Sequence, residues 1–313
     1  MKKLLLIVIA LILLAIAAIY ILIPGKITIA RTIIVPANRE ALLRKMENEE
    51  SWKRWWPGNT HGTDTAVTYL LKGISFKPRA PLALSVPMSV DSKDFVTSAE
   101  FTFFPYTVDS TGIHIETTVS VSNNPVKRVR QYIECGKLAK DFTDILESVK
   151  STYSRIVNLY DFDIQKKSVV DSILISTFEE IKGYPSADKI YELIDKLKGY
   201  IKKNGAGETG FPMLHINAVD SVNYRVKVAI PVNKKLPGSG DISYKWMLGG
   251  GNILITEVKG GHDEINKAYK QILNYITDHN RIAPAIPFES LVTDRSKEPD
   301  SSKWITRIYY PVM

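Results

Sequence analysis

The first pattern along the chain is an unbroken apolar one. Leu4 to Ile23 carries no charge, and Tyr20 is its only polar tip. As a helix rising about 1.5 Å per residue, this run spans roughly 30 Å, the thickness of a bilayer core. Pro24-Gly25 ends it. The run outlasts the apolar region of a secretory signal, about 7–15 residues, so it predicts an uncleaved anchor over residues 1–25. Lys2, Lys3 and the amino terminus lie ahead of it. The positive-inside rule then predicts a single pass with a cytoplasmic N-terminus, the rest lying outside the cytoplasm, in the periplasm.

Beyond the anchor the pattern becomes short-period. Lys26–Val35 alternates apolar and polar residues and reads as a strand. Asn38 offers an N-cap, and Leu42, Leu43 and Met46 mark one face of a short helix. Glu47–Pro57 reads as a polar and aromatic turn region holding Trp52, Trp55 and Trp56. Strands are predicted over Ala66–Lys72, Leu82–Val90, Asp94–Phe104 and Gly112–Ser122. A long helix is predicted from Val129 to Leu159, with Leu138, Phe142, Ile145, Val149, Tyr153 and Ile156 as its stripe. Such a stripe needs a sheet to lie against, which makes the layout α+β.

The remaining pattern repeats. Ile190, Leu193, Ile194, Leu197 and Ile201 form one helix face. Ile265, Ala268, Tyr269, Ile272 and Ile276 form another, each 75 residues later, and Pro212 and Pro287 keep the same offset. Each helix follows a strand ending in Lys-Gly, at Lys182-Gly183 and Lys259-Gly260, and each precedes a hairpin. The predicted hairpins are Met213–Val219 with Val222–Pro231 and Phe288–Thr293 with Lys303–Pro311. Two such units paired edge to edge would place both helices on one sheet face and leave the opposite, concave face as a ligand cleft. Gly249-Gly250-Gly251 reads as a hairpin turn joining Tyr244–Leu248 to Asn252–Val258.

Composition adds exclusions. The 313 residues are 45% hydrophobic and 24% charged, which excludes collagen, a long coiled coil and wholesale disorder. Cys135 is the one cysteine, so no internal disulfide or cysteine-rich zinc site can form. Net charge is +8, with +4 over residues 26–158 and +2 over 159–313, too evenly spread for a nucleic-acid tail. His61, His114, His215, His262 and His279 lack metal-ligand spacing, and no cofactor fingerprint is present. No metal, cofactor or nucleic-acid partner is expected. The oligomeric state is left open.

Two resemblances emerge from these residues. Residues 159–313 resemble the GyrI-like effector-binding domain found in multidrug-responsive regulators. The likeness is carried by Val258-Lys-Gly-Gly-His-Asp-Glu-Ile265, by Pro287-Phe-Glu-Ser-Leu-Val-Thr-Asp294 and by the closing strand Trp304–Val312. Residues 26–158 are similar to the START-like, polyketide-cyclase-like (SRPBCC) superfamily. Here the carriers are the strand order, the long last helix and Trp52-Lys-Arg-Trp55-Trp56-Pro57. The implied fold is a helix-grip domain around a hydrophobic cavity, followed by a duplicated strand-helix-hairpin domain with a ligand cleft. Leu291 stands where the second family has a tyrosine, and Arg307 where it has a glutamate. Those departures argue against the family's usual preference for lipophilic cations. An arginine at 307 would pair with Glu289 or favour anionic ligands.

The resulting expectation is a membrane-anchored, non-catalytic protein binding a hydrophobic or amphipathic small molecule. Glu289 is its candidate ligand carboxylate, with Tyr224, Tyr244, Trp246, Phe288 and Tyr309 as aromatic walls and Arg307 beside them. One alternative is a hydrolase of small electrophiles, with Glu289 as base and Tyr244 or Tyr309 as acid. Another is an envelope scaffold or stress partner whose cleft is blocked by its own side chains.

Overall fold

The computed structural model describes residues 2–63, 66–170, 172–247 and 249–313. The chain separates into two compact units, Met1–Leu159 and Tyr160–Met313.

The first unit opens with α1 (Lys2–Leu22), the one described helix long and apolar enough to cross a membrane. Its end is tied down. The Arg128 guanidinium, itself buried, donates through Nε to the Ile23 carbonyl at 3.0 Å and lies 4.9 Å from the Tyr20 ring centroid. Tyr20 donates to the Asn123 carbonyl. A cation at a helix C-terminus satisfies carbonyls that have no intrahelical partner. The chain continues through β1 (Lys26–Val35), α2 (Arg39–Met46), α3 (Glu49–Trp55) and the strands β2 (Asn59–Thr63), β3 (Ala66–Leu71) and β4 (Ile74–Pro78). Then come β5 (Ser85–Asp91), β6 (Val96–Thr107), β7 (Ser110–Ser120) and α4 (Pro125–Tyr153). α5 (Ile156–Tyr160) leads into the second unit.

Strands β2 to β7 form a meander, and β1 adds beside β7, giving the order β1-β7-β6-β5-β4-β3-β2 with antiparallel neighbours throughout. α4 packs on β1 and β7 with Leu138, Phe142, Ile145 and Val149 fully buried. Asn38 caps α2 as its sequence position predicts, accepting from the Glu40 and Ala41 amides. Three expectations need correction. The stretch read as a turn region contains α3, because Asn48 supplies a cap and Trp52 and Trp55 bury one turn apart. The long helix begins at Pro125, with Asn124 as its cap, and breaks at Ser154 rather than running to Leu159. β2 and β4 are additional strands, β4 being set off from β3 by Lys72 and Gly73, both at positive φ.

The second unit runs β8 (Gln165–Ser168), β9 (Ser172–Lys182), α6 (Ala187–Lys203), β10 (Met213–Ala218) and β11 (Asn223–Val232). It continues with β12 (Ser243–Met247), β13 (Asn252–Lys259), α7 (His262–Asp278), β14 (Phe288–Leu291) and β15 (Ile305–Val312). The sheet order is β12-β9-β11-β10-β14-β15-β13-β8. The two units of the repeat, β9-α6-β10-β11 and β13-α7-β14-β15, therefore meet edge to edge at β10 and β14. At that seam Leu214 pairs with Glu289, its own equivalent 75 residues on. Gly183 and Gly260 sit after β9 and β13 at φ of 81° and 134°, a backbone region glycine enters freely. Met213–Ala218 and Asn223–Val232 form the first expected hairpin, and β14 pairs with β15 as the second.

The glycine-turn hairpin is not formed. β12 pairs with β9, whereas β13 pairs with β15 and β8. The predicted strand end at Leu248 lies outside the described residues. Gly250 and Gly251 instead exchange backbone hydrogen bonds with Val169, extending the β8–β13 ladder. β13 has both edges occupied, by β15 and by β8, so it offers no edge to β12.

Candidate functional site

Side chains alternate across a strand, so register decides which residues can meet. In the second unit the helix-side face carries Ile175, Val226, Val228, Leu214 and Leu291, packed with Ile190, Leu193, Ile194, Leu197 and Ile201 of α6. Glu289 belongs to this face, because it pairs with Leu214 on one side and Ile308 on the other. Its carboxylate is thus set into an apolar layer and is mostly buried, at 14% side-chain exposure.

Its partner is Arg295, from the segment between β14 and β15. Arg295 Nη2 lies 3.4 Å from Glu289 Oε2 and donates to Thr306 Oγ1 at 2.8 Å. The guanidinium is 9% exposed and stacks 4.8 Å from the Trp304 ring centroid. Its Nε is buried with no hydrogen-bond partner among the described residues. The Arg295 backbone amide donates to Tyr191 Oη at 2.7 Å, so α6 positions the segment. Burial pushes the Glu289 carboxyl above its ordinary range, and the Arg295 charge only partly offsets this.

Phenols gather about the carboxylate. Tyr184 keeps 51% of its surface exposed; partial desolvation and then the Glu289 charge push its phenol up to about 12, and the same two causes raise Tyr269 further. Both remain protonated donors. Tyr184 packs edge-on against Tyr224, with centroids 5.6 Å apart, and its hydroxyl lies 3.3 Å from His262 Nδ1. The cluster therefore joins one buried ion pair to four aromatic side chains and an imidazole.

Of the residues singled out from sequence, Glu289 and Tyr224 join this cluster. Phe288 and Tyr309 lie on the opposite face, stacked on each other at 4.9 Å with nearly parallel rings. Arg307 is also on that opposite face and donates to Glu257 at 2.9 Å, so its expected pairing with Glu289 does not occur. Tyr244 lies on β12, four strands from β14, at about 4.8 Å per strand. The expected acid partners Tyr244 and Tyr309 are therefore not brought to Glu289. Trp246 lies exposed at the same outer edge. Sequence reading missed Arg295, Tyr184 and Thr306. It also read Tyr269 as plain core, although a tyrosine in an otherwise aliphatic stripe was the available signal. Nothing in the spacing marked Arg295.

The opposite face is concave and holds a cavity of about 540 Å³. Residues from both ends of the sheet, Lys245 of β12 and Ile253 of β13, line it together with Met213, Ala229 and Phe288. In the first unit a cavity of about 350 Å³ is lined by Met46, Trp52, Tyr69 and Val86, with Glu47, Lys77 and Arg79 as its polar wall. Trp52, Trp55 and Trp56 are core residues there, the Trp52 and Trp55 rings tilted against each other with centroids 4.8 Å apart. Cys135 is buried on α4, and burial pushes its thiol up to about 11, away from nucleophile chemistry.

No curated protein sequence matches the chain. Among solved structures, the C-terminal domain of EcmrR is similar at 20% identity and TM-score 0.42, covering 49% of this chain and 98% of that one. A hydrolase encoded by lin2189 from Listeria innocua is similar at 12% identity and TM-score 0.36, covering 48% and 91%. SAV2435 bound to tetraphenylphosphonium is similar at 15% identity and TM-score 0.31, covering 48% and 93%. The family model for the GyrI-like small molecule binding domain matches residues 180–313, from within β9 to the last residue. That stretch, holding the Glu289 cluster and both repeat helices, is a GyrI-like small-molecule binding domain.

Proposed function

We propose that this is a membrane-anchored protein that binds an amphipathic small molecule beside Glu289, without catalysis. The observation that carries the reading is the buried Glu289–Arg295 pair ringed by aromatic side chains inside a small-molecule binding domain. Planar or lipophilic ligands stack on such rings, and the raised carboxyl accepts a cation or a donor. α1 is read as the bilayer anchor, supported by its length and by the absence of buried residues along its described apolar span. The first unit is read as a START-like helix-grip domain, supported by its meander, by β1 beside β7 and by α4 across them. The expected topology keeps the N-terminus cytoplasmic.

The test is a thermal-shift and calorimetric screen of the full chain in nanodiscs against lipophilic and amphipathic compounds, with tetraphenylphosphonium as the cationic probe. Stabilisation by a subset of compounds, lost in Glu289→Gln, is expected. No stabilisation by any compound, or an equal response in Glu289→Gln, overturns the site and favours the scaffold reading.

A further inference from the structure

The cavity on the concave face lies behind the sheet from Glu289 and differs in chemistry. Its walls are apolar: Met213, Ala229, Phe288 and Trp246 contribute, and among the described residues its lining contains no aspartate or glutamate side chain. Its charge comes from Lys227 and Lys245. Neither lysine has an ion pair among the described residues, and Lys227 is half-buried. His215, opposite Lys227 in the β10–β11 register, donates through Nδ1 to the Pro287 carbonyl at 2.8 Å. Burial and the neighbouring lysine lower its pKa, so the imidazole adds no charge. Lys227, half-buried beside apolar walls, keeps a charge without a counter-ion among the described residues, and Lys245 is exposed. The remaining ion pairs of this face, Arg225 with Glu180 and Arg307 with Glu257, are self-contained and lie outside the lining.

We propose that this cavity is a second binding site, for a single-chain anionic amphiphile whose acyl or alkyl chain lies along Met213, Ala229 and Phe288 and whose head group pairs with Lys227 and Lys245. Its volume falls within the roughly 300–1,000 Å³ of small-molecule sites. The sheet separates it from the helix-side cluster, so it takes a ligand of opposite charge by a route that does not involve Glu289.

The experiment titrates the full chain, in nanodiscs of zwitterionic phosphatidylcholine, with decanoate, decyl phosphate, decanol and decyltrimethylammonium, subtracting empty nanodiscs. Both anions are expected to bind at least about tenfold more tightly than decanol or the cation. The comparison between decanoate and decyl phosphate identifies the head group. Lys227→Met with Lys245→Met should erase that preference while retaining decanol binding, and Glu289→Gln should leave it unchanged. Equal affinity for decanol and the anions in the native chain overturns the proposal, whatever the variants do. So does an anion preference that persists in the double lysine variant or vanishes in Glu289→Gln. Because Glu289→Gln is the variant that tests the helix-side site, the two readings fail separately.

Discussion

The two halves of the repeat share a fold and divide the chemistry. The first is aliphatic: α6 offers Ile190, Leu193, Ile194, Leu197 and Ile201, and β10 offers Leu214. In the second, Ala268 replaces Leu193, Tyr269 replaces Ile194, and Glu289 replaces Leu214. Smaller and polar side chains at equivalent positions make space for an ion pair that the first half has no room to hold. The connections differ as well. β10 and β11 are joined by residues 219–222, whereas β14 and β15 are joined by 292–304, which deliver Arg295 and Trp304.

The sharpest way to break this asymmetry is Arg295→Met. Leaving Glu289 buried and unpaired should cost about 3–5 kcal/mol by chemical denaturation. Adding Glu289→Leu, which makes the seam Leu-Leu, should recover most of that loss or exceed it, since a packed apolar pair is often as stable as the ion pair it replaces. A double variant as unstable as Arg295→Met alone would contradict the account.

Core truncation tests whether the halves remain equal where they look equal. Leu197→Ala in α6 and Ile272→Ala in α7 occupy equivalent, fully buried positions and should each cost about 2–5 kcal/mol. A much smaller loss in α7 would show that the second half is looser.

The pH dependence separates them next. The Glu289 carboxyl is raised from 4.5 by burial. Stability from keeping it protonated is fully present below the unfolded value and is lost as pH rises through the folded one. Glu289→Gln should abolish this slope, and no carboxylate of the first half should replace it. Binding of tetraphenylphosphonium should run the other way, weakening as pH falls through the same range, when followed by titration calorimetry.

Capping gives the smallest effects. Ser186 caps α6 by accepting from the Lys189 amide, whereas Gly261 begins α7 with no side-chain cap. Ser186→Ala should cost about 1 kcal/mol, and Gly261→Ser should change stability by only a few tenths, measured by thermal unfolding.

Sequence by itself determined the elements whose signals are local. The apolar run made α1, the aliphatic faces 75 residues apart made α6 and α7, and Asn38 set the start of α2. Period and capping chemistry act within one turn or one strand, so they can be read without neighbours. Glu289 was legible for the same reason, as a carboxylate inside an apolar strand. Alternation alone set Phe288 and Glu289 on opposite faces, but tertiary structure decided which strands and residues lie opposite each other: it placed Tyr309 beside Phe288 and Arg307 beside Glu257. It also sent β12 to β9 and brought Arg295, from an irregular connection with no period to read, against the carboxylate. Such contacts depend on where distant segments are carried by the packing of others, which no local pattern encodes.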